Sequence, residues 1–455
     1  MAAHHVIVGT GIAGLTAAET IRARDATAKI TMIGDESHNF YSRPGLAYLL
    51  RGDVPEQQLF LRSPFELRAL RMDRIIGRVD KLYCGHHLLE LSDGRRLTYD
   101  RLLLATGAQA SPAPFPGNTL EGVVKLDNLD DARRILSSCG RFRAAVVVGG
   151  GITALELAEG LRARGTRTHY LLRGNRYWSD VLDETESRII LDRLQREGVR
   201  IRLETQVKQA LGKRGRLSAI ETQAGEIIPC HVLAVAIGVR PRIELAKQAG
   251  LTVDRGIVVD EYLRTSTADV FAAGDVAQVR DPRTGVAALD VLWPIALKQG
   301  QCAGANMLGE PQIYSKEVPF NVTQLTGLKV TIIGGVGGGR NDDLIAITRG
   351  ESEAWRMRPK ASVLSRRDDV NRVRILVDEK QIVGALVMGD QTWSRPLQKL
   401  IVEKVDATAI RSAIMGGGGD LLEQLAALYR QWEQQRAVQI SAASMRQIRL
   451  GGSKS

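Results

Sequence analysis

Short runs of β-branched residues alternate along the chain with stretches of helical period, and glycine clusters stand where one changes into the other. The first run is His5-Val6-Ile7-Val8. It stops at Gly9-Thr10-Gly11-Ile12-Ala13-Gly14, after which Leu15, Ala18 and Ile21 recur at helical spacing. Lys29–Ile33 follows as a second apolar run, so strand, glycine turn, helix and strand fit within about 30 residues, the size of a βαβ unit. The pattern returns at Ala144–Val148, Gly149-Gly150-Gly151-Ile152-Thr153-Ala154, a helix over Leu155–Arg164 and a strand at Thr168–Leu172. Two such units predict two doubly wound α/β domains.

The remaining segments sort around them. Leu102–Leu104 reads as a buried strand ending at Ala105-Thr106-Gly107, and Leu233–Val239 is stopped by Gly238 and Pro241 in the same way. Ser111–Gly117 holds three prolines and reads as a linker. After Pro319 the texture becomes that of alternating strands, at Asn371–Asp378 and Gln381–Met388, a third region of α+β type. Gly416–Gly419 predicts a hinge into a helix over Asp420–Ile440, with the last dozen residues disordered. The expected division is 1–112 with 242–318, 113–241, 319–415 and a tail over 416–455.

The glycine turns carry the candidate chemistry. Gly9, Gly11 and Gly14 match G-x-G-x-x-G between a strand and a helix. The first glycine permits a tight turn, the second lets a diphosphate approach the backbone, and the third allows the helix to pack on the strand. Asp35, 21 residues after Gly14, stands where a carboxylate would bind an adenosine ribose, and Glu36 competes for that role. In the second turn Gly149 and Gly151 are followed by Ala154, which the fingerprint permits. Arg173, 19 residues later, replaces the expected carboxylate, with Arg176 close behind. A guanidinium suits a ribose 2′-phosphate, so NADP(H) and NAD(H) both stay open. Thr267–Asp275 adds an apolar strand that delivers Gly274-Asp275 into a turn.

Composition narrows the chemistry further. Four cysteines in 455 residues, at 84, 139, 230 and 302, show no CxxC or Cys/His ligand spacing. A disulfide-built scaffold, an iron–sulfur cluster and a zinc knuckle on this chain are excluded as expectations. The 62 Lys+Arg against 51 Asp+Glu give a net charge of +11, which suits an acidic partner without choosing one. Arg62, Arg68, Arg71 and Arg74 around a short helix near Ser63-Pro64 are one candidate docking patch. No basic cluster interleaved with aromatics supports nucleic acid. No apolar run approaches the ~20 residues of a membrane helix, and no leader is evident, so the expected location is cytoplasmic.

In this order the motifs Gly9–Gly14, Ala105–Gly107, Gly149–Glu156, Ile237–Pro241 and Phe271–Asp275 resemble the pyridine nucleotide–disulfide oxidoreductases, flavoproteins with two dinucleotide-binding domains. The resemblance implies FAD in the first domain. The turn residues Gly9, Gly11, Ile12, Ala13 and Gly14, together with Asp35, Glu36, Val79, Ala105, Thr106 and Gly107, would hold it, with Gly274 and Asp275 at the ribityl chain. It implies NAD(H) or NADP(H) in the second, held by Gly149, Gly151, Ile152, Thr153, Glu156, Arg173 and Gly238. Glu156 also reads simply as a helix carboxylate facing solvent.

The chain departs from the family's best-known chemistry. Disulfide reductases carry a CxxxxC pair about thirty residues past the first turn, and the stretch here, Asn39–Leu46, has no cysteine. Tyr41-Ser42-Arg43-Pro44 instead resembles the flavin-contacting segment of rubredoxin reductases and nitrite reductase large subunits. Leu292-Trp293-Pro294 resembles the segment closing over their isoalloxazine ring, although Arg43 also reads as a surface arginine and Trp293 as core. Gly384–Asp390 is similar to the end of the nitrite-reductase flavin module. At this length the chain is most similar to the FAD subunits of phenylglyoxylate dehydrogenase and tungsten-dependent aldehyde oxidoreductase. The resemblance implies a flavin subunit passing electrons between NAD(P) and an iron–sulfur partner, with no side chain as acid, base or metal ligand. A free ferredoxin or rubredoxin reductase, or an NAD(P)H oxidase, is the alternative. The tail either anchors a partner or second copy, or packs back on its own domain.

Overall fold

The computed structural model describes residues 3–280, 285, 287–337, 362–368, 370–415 and 421–451. The chain forms two compact units, the first reaching from the N-terminus to Lys316 and the second beginning at Glu317.

The first unit contains two parallel sheets. In chain order its principal elements are β1 (His4–Val8), α1 (Ile12–Arg24), β2 (Lys29–Gly34), α2 (Gly45–Arg51), α3 (Pro64–Ala69), β3 (Asp73–Ile76) and β4 (Arg101–Leu104). Next come β5 (Val123–Val124), α4 (Leu129–Ser138), β6 (Ala144–Val148), α5 (Ile152–Ala163), β7 (Arg167–Leu171), β8 (Arg200–Arg202), β9 (Val232–Val235), β10 (Val270–Ala272) and α6 (Trp293–Met307). The first sheet runs β10-β4-β1-β2-β3 and the second β8-β7-β6-β9-β5, with every neighbouring pair parallel. Each is a doubly wound sheet in which the strand order reverses at the first strand, and ligands bind outside the carboxyl ends at such a point. The β-branched runs form the central strands because both faces are covered, and all five residues of β1 are buried.

Helix starts differ in a way that bears on the ligands. Ser63 and Glu66 make a reciprocal capping box at α3, and Asn128 caps α4. At α1 and α5 the N-cap is a glycine with no side-chain cap and no acidic residue in the first turn. Their orphan N–H groups and the positive end of the helix dipole are left for an anion.

The second unit is a five-stranded antiparallel sheet built from β11 (Phe320–Leu325), β12 (Leu328–Gly334), β13 (Ser362–Asp368), β14 (Asn371–Val377) and β15 (Ile382–Met388), in the order β11-β12-β15-β14-β13. Helices α7 (Ser394–Val402), α8 (Thr408–Met415) and α9 (Leu421–Gly451) follow. Ile375, Val377, Ala385 and Val387 share a core with Leu397, Leu400, Ile410, Leu421, Leu425 and Leu428. The start of α9 therefore packs back on its own unit, with Lys399 reaching Glu433 at 3.6 Å and Arg436 reaching Glu403 at 2.8 Å. The expected disorder of the last dozen residues is corrected for 444–451, since α9 continues to Gly451, while 452–455 lie outside the described residues. The expected hinge at 416–419 lies outside the described residues.

Candidate functional site

The first glycine turn lies at the carboxyl end of β1, between the ends of β2 and β4. Gly9 has φ +123°, and a Cβ there would stand 2.0 Å from the carbonyl oxygen of Ala105. A Cβ at Gly14 would meet the oxygen of Gly9 at 2.1 Å. Both positions are closed by protein backbone. Gly11 is the opposite, with nothing within 4 Å of its missing side chain, and Gly107 at the end of β4 is equally open. The turn thus has a tight floor and an empty cradle beside the uncapped α1, with Ile12 and Ala13 in the helix's first turn.

The other residues expected at FAD lie on the neighbouring elements. Asp35, just past β2, is about half exposed, while Glu36 next to it is largely buried. Val79 is buried at the start of the strand Val79–Tyr83. Thr106 donates its hydroxyl to the carbonyl of Arg242 at 3.1 Å. Gly274, past β10, has φ +80°, and a Cβ there would sit 3.0 Å from the Cβ of Ala13. Its N–H donates to Oε1 of Gln299 at 2.7 Å, which ties the Gly274-Asp275 turn to α6. Trp293 opens α6, its ring 5.9 Å from that of Phe40. Helices α1 and α6 approach closely because Gly300 and Gly304 face backbone, their absent Cβ atoms falling 2.4 Å from the Ala13 oxygen and 2.7 Å from the Ala17 oxygen.

The second turn repeats the backbone floor and the uncapped helix start, with Gly150 standing where the first turn has Thr10. Gly149 has φ +145°, its missing Cβ 2.1 Å from the oxygen of Ala236 at the end of β9, while Gly150 is open. Gly151 is the N-cap of α5, Ile152 its first residue, Thr153 and Glu156 half-buried on it. The N–H of Trp178 donates to the oxygen of Gly150 at 3.1 Å, so the loop after β7 folds back on the turn. Arg173 is exposed at the start of that loop, and Arg176 donates to the oxygen of Ser179 at 3.2 Å. Gly238, with φ +106°, accepts from the N–H of Ser111 at 2.9 Å where the chain crosses between the two sheets.

The segment Tyr41–Arg51 is held against the second sheet at both ends. Arg43 donates to the Glu36 carboxylate, to the Tyr41 hydroxyl at 3.2 Å and to the oxygen of Asp127 at 2.8 Å. Tyr41 donates to Glu36 at 2.6 Å and accepts from the N–H of Leu129 at 3.1 Å, at the start of α4. Burial opposes the charge on Arg43, but Tyr41, Glu36 and Asp275 outweigh it and raise its pKa. Burial raises that of the Tyr41 phenol, which stays protonated. Arg43 is therefore an organised group and not a surface arginine, and Pro44 forms the N-cap of α2. At the far end Arg164 donates to the oxygens of Leu50 at 2.8 Å and Leu49 at 2.7 Å, the orphan carbonyls of α2. A Cβ at Gly160 would fall 2.8 Å from that of Leu50, so α2 and α5 nearly touch.

Of the arginines in the expected docking patch, Arg68 and Arg71 are exposed and Arg62 and Arg74 half-buried. Arg62 pairs with Glu19 at 2.7 Å, Arg71 donates to the oxygen of Ala26, and Arg74 lies on β3, bonded to Asn39 and to backbone oxygens. The four thiols all lie in the first unit. All four are free, and burial raises each pKa, Cys230 to about 12 and Cys302 to about 11.

Against known proteins, residues 3–300 match the family described as pyridine nucleotide-disulphide oxidoreductase. The chain belongs to that family. It is 33% identical over 330 residues to the biphenyl dioxygenase system ferredoxin–NAD(+) reductase component of Paraburkholderia xenovorans (strain LB400), covering 72% of this chain and 80% of the relative. It is 29% identical over 333 residues to the NADH-dependent phenylglyoxylate dehydrogenase subunit epsilon of Aromatoleum evansii, covering 72% and 79%. Its fold superposes on the reductase in the covalent putidaredoxin reductase–putidaredoxin complex with a TM-score of 0.80, at 24% identity, over 94% of this chain and 99% of that one.

The chain is an FAD-dependent NAD(P)H oxidoreductase of this family. The residues fit both nucleotides, since each sheet presents an open glycine, an uncapped helix start and a backbone floor. Local motifs do not reveal the Asp127 and Leu129 contacts, Arg164 or Arg242. Each acts from a distant segment, and no local pattern marks it. Among the described residues no cluster of metal-ligating side chains occurs, and no helix is long and apolar enough to cross a membrane.

Proposed function

We propose that the chain is the flavin-bearing reductase of a multi-component system, taking hydride from NADH or NADPH and passing electrons singly to an iron–sulfur protein. The partner is a ferredoxin-like protein or the iron–sulfur subunit of an aldehyde- or 2-oxoacid-oxidising complex. The observation that carries this reading is the site's composition. Ser42, Arg43 and Pro44 occupy the segment where disulfide reductases keep their cysteines, and the four thiols present are buried or held protonated elsewhere. Two relatives named as components of larger redox systems support it.

FAD, when bound, accepts two electrons as hydride and releases them one at a time, which is what joins a nicotinamide to a one-electron centre. The protein's work is binding and alignment. Gly11 and Gly107 leave room for the dinucleotide at the first sheet, and the uncapped start of α5 at Gly151 receives the one at the second. Tyr41, Arg43 and Arg164 lock the segment between the two sheets, fixing one nucleotide relative to the other. Phe40 and Trp293 form an apolar ring pair, centroids 5.9 Å apart, suited to shielding a flavin from water.

Purification of the tagged full chain from its native cell tests the reading. An iron–sulfur protein should co-purify, and NAD(P)H-dependent reduction of that protein should exceed reduction of oxygen. A chain isolated alone that turns over rapidly with oxygen and reduces no iron–sulfur protein contradicts it.

A further inference from the structure

Arg242 is anchored at one side of the first cradle and reaches to the other. Its N–H donates to the oxygen of Gly107 at 2.9 Å, and its own oxygen accepts from Thr106, so its backbone is fixed at the end of β4. Its guanidinium lies 3.9 Å from the carboxylate of Asp35, at the end of β2. In the sheet β1 separates those two strands, and adjacent strands lie about 4.8 Å apart. The side chain therefore crosses in front of β1's carboxyl end, where the glycine turn opens. Below it Gly11 and Gly107 face empty space.

The guanidinium has capacity to spare. Its Nε is buried and donates to nothing, and 3.9 Å to Asp35 is an electrostatic approach and not a hydrogen bond. The ligand of this cradle has charge to be met. A dinucleotide diphosphate carries two negative charges, and the α1 dipole supplies roughly half a unit of positive charge. From Gly9 to Thr20 the turn and helix contain no basic residue, and Arg43 is committed to Glu36.

We propose that Arg242 binds the diphosphate of FAD, closing over the glycine turn as a strap from the β4 end while Asp35 on the far side takes the adenosine ribose. The inference rests on the assignment of FAD to this cradle. It makes the Arg242–Asp35 approach a preorganised pair, in which Asp35 holds the guanidinium over the phosphate position.

The test is FAD retention by the holoprotein, read from the fluorescence of released flavin on dilution, for wild type, Arg242→Ala, Arg242→Lys and Arg242→Gln. One charge-assisted contact to phosphate is worth about tenfold or more in affinity. Arg242→Ala should therefore release FAD at least about tenfold more readily, and Arg242→Lys should recover most of the loss. The wild-type dissociation constant should rise more steeply with salt than the alanine variant's. Riboflavin, which has no phosphate, should bind wild type and Arg242→Ala equally. Retention of FAD by Arg242→Ala and Arg242→Gln within twofold of wild type overturns the assignment, as does an equal loss of riboflavin. Wild type that retains no FAD at all would instead overturn the assignment of the cradle.

Discussion

Replacing Arg43 by alanine tests whether the Tyr41–Arg43–Glu36 arrangement is a structural unit. Glu36 is 13% exposed and Arg43 33%. The substitution removes the carboxylate's ionic partner and leaves Tyr41 as its donor at 2.6 Å. It also strips the Asp127 oxygen of a donor at 2.8 Å and removes the cation stacked 5.3 Å from the Tyr41 ring centroid. Breaking a fully buried pair costs about 3–5 kcal/mol, and one-third exposure of the cation brings the expectation to about 2–3 kcal/mol. Glu36→Gln removes the charge while keeping the shape, so the double-mutant cycle isolates the pair, with an expected coupling of about 1.5–2 kcal/mol. Urea unfolding followed by circular dichroism supplies the four stabilities. A coupling below about 0.5 kcal/mol, the range of an exposed pair, would show Arg43 to be the ordinary surface arginine that sequence alone also permits.

Arg164→Ala should slow flavin reduction by NAD(P)H about tenfold or more while leaving NAD(P)H affinity within a few-fold, because it loosens α2 against α5 and misplacements near 1 Å cost rate steeply; stopped-flow absorbance checks it, and an unchanged rate rejects the clamp. Alkylating reagents at pH 7–8 should leave activity intact, since burial keeps Cys230 and Cys302 protonated up to about pH 12 and 11; stoichiometric inactivation by iodoacetamide would contradict this. Burial lowers the pKa of His5 below 6.5, its ordinary value. The folded state thus favours the neutral ring, costs nothing above that value and loses stability as pH falls through 6.5 toward the folded-state value. His5→Leu should flatten the change in urea midpoint between pH 7.5 and 5.5, and an unaltered slope would place the titration elsewhere.

The two nucleotide folds were legible in sequence because their signals are local. A β-branched run, a glycine turn and a helical repeat are complete within a single unit, and β1, α1 and β2 formed where they were expected. The site's interior was not, because its contacts join segments far apart. Arg43 meets Asp127 84 residues away, and Arg164 meets Leu49 115 residues away. The partners of Arg62, Arg71 and Arg74 around the short helix α3 were likewise invisible, because the carboxylate and carbonyls they meet stand up to 45 residues away. The tail misled in the other direction. Its end lacks an apolar stripe, yet 421–450 contains neither glycine nor proline, and its alanines, glutamines and arginines favour helix. Glycine was the most informative residue, since its closed positions at Gly9 and Gly149 and its open ones at Gly11 and Gly150 separate floor from cradle.

A flavin acting without a thiol relay, its electrons leaving to an iron–sulfur protein, has a direct signature in electron counting. Anaerobic titration of the holoprotein, followed by addition of an oxidised ferredoxin, measures both parts. The account predicts two electrons per FAD to full bleaching, no long-wavelength thiolate–flavin band, and reoxidation coupled to two one-electron reductions of the ferredoxin. Four electrons per FAD with a thiolate charge-transfer band, or a reduced flavin that ferredoxin leaves untouched, would contradict it.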